Sequence, residues 1–245
     1  MCVILTGPAD KIYPLMDRAM TTNPHGNGLA WMDNVKGHLF VHWKKGIKDE
    51  DVKNLVKNLG NTMVVFHTRI ATVGGTNGLL THPFPVTLNP RLQYNGVDDM
   101  VLFHNGHYSG WEKLIPEASL KSHEYAWSDS RAIAHGLASG QVKIEDLGKA
   151  VGGVFAILST KPFNGDANVG TVEHYGDWEK IDDGVWASNT NFLATRSNRS
   201  VYWDFTKSGK GGGKYKRYWD KDAWEYGSNY YNSGEYDRHS IRYSG

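Results

Sequence analysis

Apolar runs that end abruptly in polar side chains recur along the chain. Two such runs, at residues 62–69 and 100–105, are nearly continuous in apolar residues and close on His-Thr-Arg and His-Asn. This pattern is typical of strands that are buried on both faces and carry chemistry at their ends. Shorter runs predict further strands at 3–5, 29–32, 38–43, 153–159, 171–175 and 185–188.

Other stretches have apolar residues at helical spacing. A helix is predicted at 49–60, where acidic residues fill the first turn and a glycine ends it, and another at 128–140, where a serine is the cap. The stretch 9–20 is amphipathic, and a third short helix is predicted at 144–151. Because strands and helices cluster instead of alternating regularly, we predict a layered α+β domain and not a doubly wound sheet.

The character of the chain changes after about residue 200. Residues 201–245 hold 12 of the 30 aromatic residues but, among Val, Ile, Leu and Met, only Val201 and Ile241. This composition is too poor in aliphatic residues for a second core. We therefore predict one domain over 1–200 and a C-terminal tail over 201–245, either poorly ordered or a docking peptide for a partner protein or RNA.

Bulk composition excludes several classes of protein. The 245 residues are 40% hydrophobic and 22% charged, as in globular proteins, and the formal net charge of +1 gives no argument for a nucleic-acid or membrane surface. No apolar run approaches the roughly 20 residues of a transmembrane helix. The first residues also lack the features of a signal peptide, so a cytoplasmic location is expected.

The chain has a single cysteine, Cys2. It cannot form an internal disulfide, and a cysteine-rich zinc site is excluded. A lone cysteine is most often a small buried hydrophobe, but here a small residue follows Met1, so an aminopeptidase can remove that methionine. The α-amine then released has an ordinary pKa of about 7.7–8.0 and can act as base for the thiol of the same residue.

Polar groups at strand or helix edges occur in four separate places: Cys2, 67–69, 104–106 and 128–130. Taken singly, each of the last three has a plain structural explanation as an ion pair, a tight turn or a helix cap. Together they supply a nucleophile, donors for an oxyanion and opposite charges for the two ends of an amino acid.

In these segments the sequence resembles the class II glutamine amidotransferases, which are N-terminal-nucleophile hydrolases. The resemblance covers residues 1–195 or so, is closest to compact stand-alone members, and implies a four-layer αββα sandwich. The matching stretches follow the order of that family: MCVILTG at the start, NPHGNGLAW at 23–31, HTRIATVG at 67–74, THPF at 81–84, FHNG at 103–106, WSDS at 127–130 and VWAS at 185–188.

The resemblance implies a reaction at Cys2. After loss of Met1, the thiol would attack the side-chain amide of glutamine, and ammonia and glutamate would be released through a thioester. The side chain of Asn105 and the backbone N–H of Gly106 would form the oxyanion hole. No cofactor is implied.

The resemblance also implies how glutamine is bound. Arg69 would hold the α-carboxylate, Asp129 the α-ammonium, and Thr72 and Val73 would line the pocket. Arg131 departs from the family pattern, in which a glutamate usually follows this motif, and the departure affects the local charge balance.

A metal site is a second interpretation of the polar groups. His67, His82 and His104, with Asp129, could be drawn around an ion. We expect no metal, because the family uses none in catalysis and histidines at strand ends are more often hydrogen-bonded scaffolding.

The fate of the ammonia is open in the sequence. Nothing after residue 200 can form a synthase domain, and neither a phosphate-binding loop nor a dinucleotide fingerprint is found. A separate synthase or acceptor protein is therefore one expected partner, and a stand-alone γ-glutamyl amide hydrolase is the alternative. A catalytically silent binding module is a third interpretation.

Overall fold

The described strands form two antiparallel sheets, accompanied by helices, so the fold is mixed α/β. The computed structural model describes residues 2–70, 77–117, 119, 127–161 and 172–194. The strands are β1 Val3–Pro8, β2 Asn27–Val35, β3 His38–Ile47, β4 Met63–Thr68, β5 Phe84–Pro85, β6 Asn95–Asp98, β7 Met100–Asn105, β8 Val154–Ser159, β9 Val172–Tyr175, β10 Glu179–Asp182 and β11 Val185–Ala187. The helices include α1 Ala9–Thr22, α2 Asp49–Asn58 and α3 Asp129–Ser139.

The larger sheet has the order β10-β11-β1-β4-β2-β3-β6, and the smaller sheet has the order β5-β7-β8-β9. β1 therefore lies inside the larger sheet, between β11 and β4. Its register pairs Val3 with Thr68 and Ile4 with His67, so the start of β1 meets the end of β4. On its other side, Leu5 pairs with Ala187 of β11.

Side chains of β1 alternate between two cores, as the period of a strand requires. Val3 and Leu5 pack with α1 and α2 on one face of the larger sheet, whereas Ile4 faces the smaller sheet. The core between the sheets contains Ile4, Ala30, Val41, Trp43, Val65, Val101, Phe103, Ala156 and Leu158. The opposite face of the smaller sheet packs against α3.

The prediction of a helix at 144–151 is wrong. This stretch has one turn of 3-10 helix, Ile144–Asp146, followed by turns. Gly148 adopts a left-handed backbone (φ 75°) and approaches β9 so closely that a Cβ there would lie 2.4 Å from the Gly176 backbone nitrogen. A continued helix would need a right-handed backbone at that position.

The predicted tail over 201–245 lies outside the described residues, and so does the predicted domain boundary at 200. None of the helices in the ranges given above is both long and apolar enough to cross a membrane.

Candidate active site

Cys2 lies at the start of β1 and is partly buried. Its Sγ donates a 3.6 Å hydrogen bond to the Ile70 carbonyl, and its own carbonyl accepts a 2.8 Å bond from Asn189 Nδ2. Burial raises the pKa of the Cys2 thiol above its ordinary value, while the positive charge of Arg69 acts in the opposite direction. The thiol is therefore protonated at neutral pH and needs a base before it can attack.

Arg69 directly follows β4, at the edge where β1 begins. Two backbone bonds fix it, from Arg69 N to the Gly26 carbonyl (2.9 Å) and from His25 N to the Arg69 carbonyl (3.0 Å). The guanidinium is buried and its Nη1 donates to the Asn77 carbonyl at 3.2 Å. Burial lowers the pKa of Arg69, and electrostatic interaction with Cys2 and Asp129 raises it. An arginine keeps its charge at neutral pH in such a setting.

Asp129 is the first residue of α3, and the preceding serine caps the helix as predicted. Its Oδ1 accepts a 2.8 Å bond from Ser130 N, and its Oδ2 accepts a 3.2 Å bond from Tyr108 N. The side chain is 13% exposed, and His107 Nδ1 lies 3.6 Å from Oδ2. Ser130 Oγ also donates to Oδ1, at 3.3 Å, so Oδ2 is the oxygen that keeps a lone pair for a further donor. The positive end of the helix dipole attracts negative charge at this position.

Asn105 ends β7 and is buried, and its Nδ2 donates to Ser188 Oγ at 2.9 Å. Gly106 follows it and is exposed. A Cβ at this glycine would lie 2.7 Å from His104 Nε2 and 2.8 Å from Gly153 Cα. Only glycine fits there without displacing the packed histidine, which explains the residue type after the asparagine.

The histidines near these strand ends contact one another and a hydroxyl. His82 Nδ1 and His67 Nε2 are 3.0 Å apart, and His104 Nδ1 lies 3.1 Å from Ser130 Oγ. Burial lowers the pKa of His67 to about 3 and the pKa of His104 to about 4, so both rings are neutral. In the part of the chain that the structure describes, no three His, Cys, Asp or Glu side chains come together in a way that could hold a metal ion.

We expect acid to destabilise the fold through His67. Its pKa is about 3 in the folded chain and 6.5 ordinarily, so between these values the unfolded chain binds a proton that the folded chain does not. The free energy of unfolding then falls, as pH falls from about 6.5, by up to about 1.4 kcal/mol per pH unit. Melting temperatures measured between pH 7 and 4 should fall less steeply for His67→Gln than for the exposed control His38→Gln. Equal slopes would contradict this assignment.

Three predicted site residues from separate segments lie close enough to interact electrostatically: Cys2, Arg69 and Asp129. Asn105 is linked to the same place through Ser188, which also bonds the backbone of β1. Gly106 directly follows Asn105. The remaining predicted residues, Thr72 and Val73, lie outside the described residues.

No site role was predicted for three residues that contact this set, although the first of them ends the VWAS stretch at 185–188. Ser188 and Asn189 bond Asn105 and Cys2, and the backbone of Tyr108 bonds Asp129. A signal for the first two was present, because a polar Ser-Asn pair directly follows the apolar run of β11.

Comparison with known proteins gives a faint likeness. No protein-family model matches the sequence, and no curated protein matches it. Among solved structures, the chain is similar to the glutamine phosphoribosylpyrophosphate amidotransferase from B. subtilis complexed with ADP and GMP, with 20% identity and a TM-score of 0.39. The likeness covers 64% of this chain and 34% of that one, so the chain spans about a third of that enzyme's length.

Proposed function

We propose that this chain hydrolyses the side-chain amide of glutamine, with Cys2 as the nucleophile after removal of Met1. The observation that carries the proposal is the convergence of a thiol, a guanidinium and a carboxylate from three segments of the chain. A free amino acid has one negative and one positive end, and Arg69 and Asp129 offer the opposite charges. A glutamine bound by these two groups would present its side-chain amide to the Cys2 thiol.

In the proposed first step the α-amine of Cys2 takes the thiol proton. This assignment is supported by the raised pKa of the thiol, which requires a base, and by the α-amine's ordinary pKa of about 8. The thiolate then adds to the amide carbon, and the negative charge moves to the amide oxygen. Asn105 Nδ2 and the Gly106 N–H are the proposed donors to that oxygen.

In the second step the carbon–nitrogen bond breaks, and the proton on the α-amine passes to the departing nitrogen as ammonia forms. The γ-glutamyl thioester remains on Cys2. Water adds to its carbonyl, the carbon–sulfur bond breaks, and glutamate leaves with the thiol restored. The amine acts as base in this half of the reaction as well.

Arg69 and Asp129 are assigned to the two ends of the substrate. A planar guanidinium suits the α-carboxylate, since it can donate two parallel hydrogen bonds. The Asp129 carboxylate, at the start of a helix, suits the α-ammonium. We assign the wall of the same pocket to Thr72 and Val73.

We extend the proposal to the architecture around the site. The packing of helices on one face of each sheet, with the two remaining faces against each other, supports an αββα sandwich of the N-terminal-nucleophile type. A glutaminase domain over 1–200, with the tail over 201–245 outside it, is part of this proposal. The ammonia acceptor is proposed to be a separate protein in the cytoplasm, and release at full rate without any added protein would favour the stand-alone hydrolase instead.

Replacing Asp129 by asparagine should chiefly weaken substrate binding. The loss of one charged hydrogen bond, about 1.5–3 kcal/mol, raises KM for glutamine roughly 10- to 100-fold while kcat changes less. Steady-state ammonia release measures both constants. Asp10→Asn is a matched control, because Asp10 also lies in the first turn of a helix and accepts from the next backbone N–H. An unchanged KM in the Asp129 variant would remove this residue from the site.

A further inference from the structure

The hydroxyl of Ser188 lies between the strand that carries the nucleophile and the strand that carries the oxyanion donor. Ser188 Oγ accepts 2.9 Å hydrogen bonds from Ile4 N on β1 and from Asn105 Nδ2 at the end of β7. The backbone N–H of Ser188 also donates to the Ile4 carbonyl at 2.9 Å. This serine is buried, so its oxygen has little competition from solvent.

The bond to Asn105 determines how that side chain is oriented. A side-chain amide rotates easily about its last torsion, and its nitrogen carries two hydrogens. Because Ser188 Oγ holds one of them, the plane of the amide is fixed and the second hydrogen is left to point away from the serine. The next residue, Asn189, holds the carbonyl of Cys2 at 2.8 Å. One short segment after β11 therefore positions both the donor and the nucleophile.

We propose that Ser188 is a positioning residue, which keeps the Asn105 amide oriented for the oxyanion and in register with Cys2. This inference rests on the proposed function of the site. Ser188 itself touches neither the substrate nor the reacting atoms. Its effect passes through Asn105, and that indirect role can be separated experimentally from a structural one.

Ser188→Ala should lower kcat for glutamine hydrolysis on the order of 10- to 100-fold, because a small misplacement of a catalytic group costs that much. KM should stay within about twofold, since the charged groups that hold the substrate are untouched. Ser188→Thr keeps the hydroxyl and should restore most of kcat. Ser159→Ala is the matched control. It removes another buried serine hydroxyl, which lies at the end of β8 and donates to the Lys161 carbonyl. This variant should leave kcat unchanged.

A double-mutant cycle tests whether Ser188 acts through Asn105. In an Asn105→Ala background, Ser188→Ala should cost less than about twofold in kcat, whereas a general loss of structure would multiply the two effects. If Ser188→Ala fails to fold, Ser188→Cys, with a weaker acceptor of similar size, takes its place; its kcat should lie below that of the wild type, with KM again within about twofold. Wild-type activity that is unchanged in Ser188→Ala, or multiplying effects in the cycle, would overturn the inference. A wild-type protein that neither releases ammonia nor reacts at Cys2 would instead overturn the proposed function.

Discussion

Cys2→Ser is expected to abolish ammonia release from glutamine. Loss of a nucleophile in other hydrolases lowers kcat by on the order of 10⁴-fold or more. A serine hydroxyl ionises far less readily than a thiol, and an α-amine with a pKa of about 8 is a weak base for it. A coupled assay for ammonia, followed over hours, should show no release above the buffer rate.

Two controls separate this effect from folding and from processing. Alanine and serine at position 2 both permit removal of Met1, so Cys2→Ala should be as inactive as Cys2→Ser. Both variants should still bind glutamine in a calorimetric titration, because Arg69 and Asp129 are unchanged. Ammonia release near the wild-type rate by either variant would mean that Cys2 is not the nucleophile.

Asn105→Ala is expected to lower kcat about 10²- to 10³-fold with little change in KM. The loss of one oxyanion donor costs about 2.7–4 kcal/mol of transition-state stabilisation, and the donor acts only once the negative charge has formed. Asn105→Asp is a near-isosteric second variant, which removes the donor and adds a repelling charge, and should be at least as slow.

Asn34→Ala is the control for the loss of an asparagine side chain outside the site. Asn34 caps the turn between β2 and β3, where its Oδ1 accepts from Gly37 N at 2.9 Å, and it is exposed. Asn34→Ala should keep the wild-type kcat. A normal kcat with a raised KM in Asn105→Ala would place this amide in substrate binding and not in the oxyanion hole.

The central strands of the fold could be predicted from the sequence, whereas the two edge strands of the larger sheet could not. The apolar runs at 62–69 and 100–105 contain β4 and β7, which lie within their sheets and are buried on both faces. In contrast, β6 and β10 lie at the two edges of the larger sheet and are largely exposed. Because they bury little apolar surface, their sequences lack the pattern by which a strand is found.

A buried lysine is another feature that the sequence pattern did not reveal. Lys45 continues the inward alternation of Val41 and Trp43 on β3, and its Nζ lies 4.1 Å from the centre of the Phe84 ring. Burial lowers the pKa of Lys45 well below its ordinary value. A lysine in a strand is ordinarily taken to face solvent, so only the packing of the two sheets reveals its position.

The residue types of the candidate site could be predicted from the sequence, but the hydrogen bonds among these residues could not. Polar residues after apolar runs and a helix cap marked the segments 67–69, 104–106 and 128–130, and the resemblance then implied Arg69, Asn105 and Asp129 within them. The contact between Ser188 and Asn105 depends on the register of β11 against β1 and on the approach of the smaller sheet. Neither is encoded in local sequence, because the residues involved are 83 positions apart.

The most direct test of the central claim is the intact mass of the purified protein, before and after treatment with a glutamine-like electrophile such as a γ-diazoketone analogue. We expect a chain that lacks Met1 and gains the mass of one inhibitor, with the adduct located on Cys2 by peptide mapping. Excess glutamine should protect against the adduct, and Cys2→Ala should not form it. Retention of Met1, or an absence of adduct on a folded wild-type protein, would mean that Cys2 is not an N-terminal nucleophile.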